Sequence, residues 1–188
     1  DPGAPQVFDG KPSEYLTIIK KCLVDGYGDK TALDWSVVDD GINTATPYLA
    51  LKNKVANGGS GGVITFEAVN DNAGTVVKVQ CCQAWVARDN LTNPGAFFAF
   101  SRGSASQSSL LKNWMFIGTA VAFYSFCTSE GRLNQNYFGT HRSIFYFVGD
   151  FEPLHNNDNA RFITMAGAKN YLGHSWSSQL NGKVGYSK

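Results

Sequence analysis

Hydrophobic positions along the chain change their period once. Between Ser13 and Val24 they recur at helical spacing, with Leu16, Ile19 and Leu23 on one stripe and Tyr15, Ile18 and Cys22 beside them. Ser13 is placed to cap the N-terminus of this helix, and Asp25-Gly26 ends it, the glycine supplying a left-handed cap. After Trp35 the pattern becomes that of strands. Segments 35–40, 48–53, 63–69, 75–87, 114–128, 142–150 and 160–166 are rich in β-branched and aromatic residues and are separated by Gly, Asn, Asp or Pro. They predict about seven strands. The glycine-rich run 57–62 and the polar run 70–74 read as hairpin turns of a meander. Residues 87–113 read as a long exposed loop or as a short extra hairpin around the apolar run 96–100.

Pro2, Gly3, Ala4 and Pro5 prevent regular structure at the start, so residues 1–12 are expected to form an extended arm and 13–188 a single β-rich domain with the helix at its N-terminus. Val7 and Phe8 give the arm two apolar anchors, which makes them candidate interface residues for strand addition or groove binding. Two of the strand segments, 114–126 and 143–148, are apolar on both faces. A strand with one wet face alternates, so both faces of these strands need cover, from the helix, a second sheet or a neighbouring subunit. The expected architecture is mainly β: an antiparallel β-sandwich or curved sheet with the N-terminal α-helix packed on it.

Composition narrows the function classes. At 188 residues and 43% hydrophobic content, the chain can bury one sizeable core and has the length of one domain. Its formal net charge of +1 supplies no long-range field for nucleic acid or anionic membranes, so no direct nucleic-acid or membrane partner is expected. No run approaches a membrane span, and the first fifteen residues lack the charged and apolar regions of a secretory leader. Cys22, Cys81, Cys82 and Cys127 all sit in apolar contexts and are expected as free, buried thiols. If their segment is a strand, Cys81 and Cys82 point to opposite faces.

The remaining candidates for chemistry are incomplete as motifs. The 57–62 loop lacks the following Gly-Lys-Ser/Thr of a phosphate loop and precedes a strand, so it reads as a plain turn. Asn70-Asp71-Asn72 and Asn156 to Asn159 lack calcium-loop spacing. His141, His155 and His174 form no helical metal pair, and no Ser lies in a nucleophile elbow. Asp150 and Glu152 share a strand parity as paired glycosidase acids do, but they follow Gly149 and precede Pro153, which reads as a strand end. The expectation is no catalytic, cofactor-binding or metal residue and no enzyme activity. Trp35, Trp85 and Trp114 open or close apolar strands and are expected in the core, whereas Trp176, in a polar context, is the tryptophan expected to be available for contact.

The order of these features resembles a family of bacteriophage virion structural proteins encoded among tailed-phage structural genes. That family has a short Gly-Ala-Pro lead before a helix ending in a motif matched here by CLVDGYG at 22–28, its most specific element. A Lys-x-Ala-x-x-Trp strand entry is matched by KTALDW at 30–35, and a following strand by YLALKNK at 48–54. A Trp-led aromatic strand matches 114–126, and a final Phe-Gly-Asp-type strand with a polar loop matches 145–167. The resemblance covers roughly Gly3 to Gly167. The strand at 48–54 departs from it by lacking the usual acidic ending, and the glycine-rich loop after it is particular to this chain. The resemblance implies a non-enzymatic virion component, assembled in the bacterial cytoplasm, that forms homo-oligomers and contacts other virion structural proteins in the tail or baseplate. The alternatives are a capsid or head-to-tail decoration protein and, by fold-level analogy, a carbohydrate-binding host-adhesion module.

Overall fold

A computed structural model describes residues 11–69, 76–101, 113–128, 143–151, 162–169 and 176–177. Helix α1 (Pro12–Lys20) is followed by β1 (Ser36–Asp40), β2 (Tyr48–Lys52), β3 (Val63–Val69), β4 (Val76–Cys82), β5 (Ala84–Ala87), β6 (Asn90–Thr92) and β7 (Phe97–Ser101). The second half contributes β8 (Asn113–Gly118), β9 (Ala122–Thr128), β10 (Ser143–Asp150), β11 (Phe162–Lys169) and β12 (Trp176–Ser177). One five-stranded sheet has the order β1-β2-β3-β4-β7 and the other β12-β11-β10-β9-β8. All pairings are antiparallel. Each half of the chain therefore folds on itself as a meander, and the two meanders pack face to face. The fold is the mainly β sandwich expected from the strand pattern.

Two of the seven expected strands are in fact pairs. The 75–87 run breaks at Gln83, whose N–H donates to Thr92 O and turns the chain into the β5–β6 hairpin. The 114–128 run folds back between Gly118 and Ala122, where Thr119 N–H donates to Ala122 O. At Gly118 an added Cβ would sit 2.6 Å from Ala122 O, so the glycine permits this close return. The apolar run 96–100 is a strand of the first sheet, β7, rather than a loop or a separate hairpin.

The helix starts two residues earlier than its capping pattern suggested. Lys11, extended at φ −91° and ψ 153°, holds the cap position without a side-chain bond, and Pro12 takes the first helical position. Proline has no N–H to leave unsatisfied there, so Ser13 is a first-turn residue and not the cap. At the other end the helix widens into a π turn (Lys21–Asp25), closed by Gly26 N–H donating to Lys21 O at 2.8 Å. Gly26 does adopt positive φ, 77°, but with ψ 172° it is extended rather than left-handed helical.

This helix lies between the sheets. Tyr15, Leu16, Ile18, Ile19, Cys22 and Leu23 are all buried, a stripe too wide for one contact surface. α1 packs on β2 and β3, while the Tyr15 hydroxyl reaches the opposite sheet and shares hydrogen bonds with Ser125 Oγ (2.8 Å) and Tyr146 Oη (2.5 Å). Elsewhere the sheets meet directly, Phe98 and Phe100 of β7 packing on Tyr146 of β10 at ring separations of 5.4 and 6.0 Å. Trp35 closes one end of the core against Phe123 and donates its indole N–H to Thr119 O.

Candidate assembly surface

The two outer faces of the sandwich differ in chemistry. In β3 and β4, Ile64, Phe66, Ala68, Val77, Val79 and Cys81 point into the core, while Thr65, Glu67, Lys78 and Gln80 point out. That is the alternation of a solvated face. The β5–β6 hairpin folds over part of it, with Trp85 and Leu91 packed on Ala50, Val63 and Cys82. Asp39 accepts from the Trp85 indole (3.0 Å) and the Tyr48 hydroxyl (3.2 Å), and Arg88 pairs with Glu67. Trp85 therefore belongs to this small outer cluster and not to the main core. Trp35 is in the core, and Trp114 packs at its margin.

The outer face of the second sheet does not alternate. Register places Met115, Phe126 and Phe145 in one row across β8, β9 and β10, and Ile117, Tyr124, Phe147 and Met165 in the next, which extends to β11. A third row holds Ala122, Gly149 and Ile163. None of these residues carries a charge, and the Tyr124 hydroxyl is the one polar side-chain group among them. The rings form a continuous layer: Tyr124 stacks on Phe145 at 5.8 Å and 15°, Phe126 meets Phe145 at 4.8 Å, and Phe147 touches Tyr124 at 4.9 Å and Phe151 at 5.0 Å. Phe147 is buried by its neighbours, but Ile117, Tyr124, Phe145 and Phe151 remain 53, 41, 37 and 44% exposed. Completing the burial of such side chains stabilises by a share of the roughly 1.5–3 kcal/mol available per large apolar side chain. A contiguous apolar sheet face of this kind marks an interaction surface.

Asp150, the candidate acid, is bound by its own chain. Its carboxylate accepts from Ser60 N–H (2.6 Å), Ser60 Oγ–H (2.6 Å) and Asn53 Nδ2 (2.9 Å), and Asn53 Oδ1 accepts from Gly61 N–H at 2.7 Å. The glycine-rich loop, which reads as a plain turn in sequence, is a clasp that holds an internal carboxylate across the two sheets. Ser60 N–H donates to the chain's own anion as a phosphate loop's backbone does, while Gly61 N–H steadies the Asn53 carboxamide beside it. Glu152 lies outside the described residues, so the strand-parity pair is not assembled there. Asp150→Ala is expected to lower stability by about 2 kcal/mol, from charge-assisted bonds lost at a partly exposed site. Urea unfolding at neutral pH checks this, and a midpoint equal to wild type would remove the clasp's structural role.

Inside the sandwich, Tyr15, Ser125, Tyr146 and Cys127 form a closed polar cluster, with Cys127 Sγ donating to Tyr15 Oη at 3.6 Å. Burial raises both tyrosines well above their ordinary range, so these hydroxyls act as neutral hydrogen-bonding groups that pin the helix. All four cysteines are free and buried. Cys81 faces the main core and Cys82 the small cluster beyond the sheet, on opposite faces as their adjacency in a strand requires. Burial pushes Cys82 and Cys127 up to about 11 and Cys22 up to about 12. Raised thiols are poor nucleophiles.

Val7 and Phe8, the histidines and the 70–74 and 156–159 turns lie outside the described residues. Trp176 is placed by its backbone alone, in β12 opposite Lys169. Sequence reasoning flagged strands with two apolar faces but not which residues line the free one. The signal was present in the uninterrupted run 144–148, though parity could not be assigned from it. Among the described residues no group of three or more His, Cys, Asp or Glu is placed to hold a metal ion, and no helix is long and apolar enough to cross a membrane. No protein-family model, curated protein or solved structure matches the chain.

Proposed function

We propose that this protein is a non-enzymatic structural component of a tailed-bacteriophage particle, acting in the tail or baseplate region by associating with copies of itself and with other virion proteins. The observation that carries the association role is the uncharged aromatic face of the second sheet, opposite a solvated first sheet in the same molecule. The phage assignment is supported by the sequence resemblance of 22–28 and of the ordered strand motifs. A glycan-binding role would need hydrogen-bonding groups among the exposed rings, and the three apolar rows offer the Tyr124 hydroxyl alone. The same face therefore favours protein association over adhesion.

Particles produced from the genome that carries this gene, purified on a density gradient and imaged, should contain the chain at fixed copy number in the tail or baseplate. Its absence from purified particles would remove the proposal. Its presence on the capsid surface or at the head-to-tail junction would replace the tail assignment with decoration. Deleting residues 1–11, with Val7 and Phe8, should leave the melting temperature nearly unchanged while lowering incorporation. Normal incorporation of that truncated chain would exclude a docking role for the arm.

A further inference from the structure

We infer that the occupant of the aromatic face is a second copy of this chain, packed sheet on sheet about a two-fold axis that passes near Tyr124. The inference rests on the association role proposed above and names the partner at that surface. Three observations converge on it. The three apolar rows carry no charge and a single hydroxyl, with the polar row Asn113, Thr128, Ser143 and Lys169 bordering them in register, so the partner at these rows must be comparably apolar, or polar groups of that partner would be buried without bonds. Among the described residues, this face is itself the surface of that chemistry on the molecule, and a two-fold interface sets one patch against the same patch. With a formal net charge of +1, two copies approach without appreciable long-range repulsion.

Size agrees with a modest interface. Strands about 4.8 Å apart and rows about 6.8 Å apart give four strands and three rows a flat footprint of about 400 Å² per copy. Both partners together contribute about 800 Å², and the relief of projecting rings raises the accessible area towards the lower end of the roughly 1,200–2,000 Å² of a standard interface. The expected pair is thus a reversible dimer, strengthened where an assembly presents several copies together. Tyr124 stands in the middle row, between Ile117 and Phe147, so it lies near the axis and packs close to its own counterpart.

Sedimentation equilibrium of the full chain should show monomer passing to dimer over micromolar to millimolar concentration. Tyr124→Lys and, independently, Ile117→Lys should each raise the dissociation constant at least about tenfold, the equivalent of about 1.4 kcal/mol. Both positions project outward, and an unchanged near-ultraviolet circular dichroism spectrum checks that each variant is folded. In an equal mixture of light and heavy-isotope chains, p-benzoylphenylalanine at Tyr124 should cross-link to β9 or β10 peptides of the other isotope. A wild-type chain that stays monomeric, or a dimer that neither lysine weakens, overturns the inference. So does cross-linking confined to one chain, which would mean that a segment of the same chain covers the face. If the chain is incorporated into particles but Tyr124 cross-links to a different virion protein, the self-pairing fails while the structural role stands. A dimer intact in a chain absent from particles gives the converse.

Discussion

Gly149→Ala is expected to destabilise the protein by about 4 kcal/mol, a large fraction of the roughly 5–15 kcal/mol that holds a typical domain folded. Gly149 lies in β10 at φ +142°, a conformation L side chains rarely adopt. A Cβ built there would sit 2.3 Å from Ala122 Cα, 2.4 Å from Ala122 Cβ and 2.6 Å from Val121 O. Two of these are backbone atoms, so no rotamer change relieves the contact, and the β9–β10 pairing must open. Positive φ costs roughly 1–3 kcal/mol and overpacking a further roughly 1–3. The displaced segment also carries Asp150, whose N–H donates to Val121 O and whose carboxylate holds the glycine-rich loop. Thermal unfolding should show a melting temperature lower by roughly 10 °C. Gly58→Ala separates the two causes, since Gly58 also has positive φ, 88°, but nothing within 4 Å of the added Cβ. It should cost about 1 kcal/mol. Equal losses in the two variants would show that the close approach of β9 to β10 contributes nothing.

Stability should fall steeply between pH 8 and 10. A cysteine thiol in the unfolded chain ionises near pH 8.5, whereas burial holds Cys82 and Cys127 to about 11 and Cys22 to about 12. Folded pKa values above unfolded ones mean that the stabilisation is complete below about pH 8.5. Above it the unfolded state releases protons that the folded state retains, and stability is lost until pH passes the folded values near 11–12. Each thiol contributes about 2 kcal/mol of loss from pH 8 to 10, so these three together remove on the order of 6 kcal/mol. Cys81 adds to the same trend, and Tyr15 and Tyr146 extend it at higher pH because burial raises both. Urea midpoints measured under reducing conditions at pH 7, 8, 9 and 10 test this. Cys127→Ala should remove about one thiol's share of the slope, and a wild-type midpoint that does not move between pH 8 and 10 would contradict the burial of ionisable thiols.

Much of the architecture was legible in the residues. The helical stripe from Tyr15 to Leu23, the strand-rich remainder and the meander turns all follow from local periodicity, because each meander pairs strands that are near neighbours in sequence. Boundaries inside apolar runs were not legible. Gln83 interrupts one strand pattern with a single residue and Thr119 to Val121 interrupt another with three, too little to register against the flanking hydrophobicity. The clasp was hidden for a different reason. Ser60 and Asp150 are 90 positions apart, and neither residue type signals a long-range partner.

By itself the sequence determined that the second half of the chain would form strands with two apolar faces needing cover, because period-two hydrophobicity and β-branched or aromatic content are local properties. Which face turned inward was decided by tertiary structure alone. Hydropathy would send Ser125 and Thr164 outward and Tyr124 and Phe145 inward, yet Ser125 and Thr164 are buried while Tyr124 and Phe145 are exposed. For Ser125 the reason is parity joined to polar satisfaction. Consecutive side chains must alternate, and the parity that carries Phe123, Tyr146, Val148 and Phe162 into the core carries Ser125 with them. There the Tyr15 hydroxyl, delivered by a helix 110 residues away, gives Ser125 its hydrogen bond. The outward aromatic layer is the consequence of that choice.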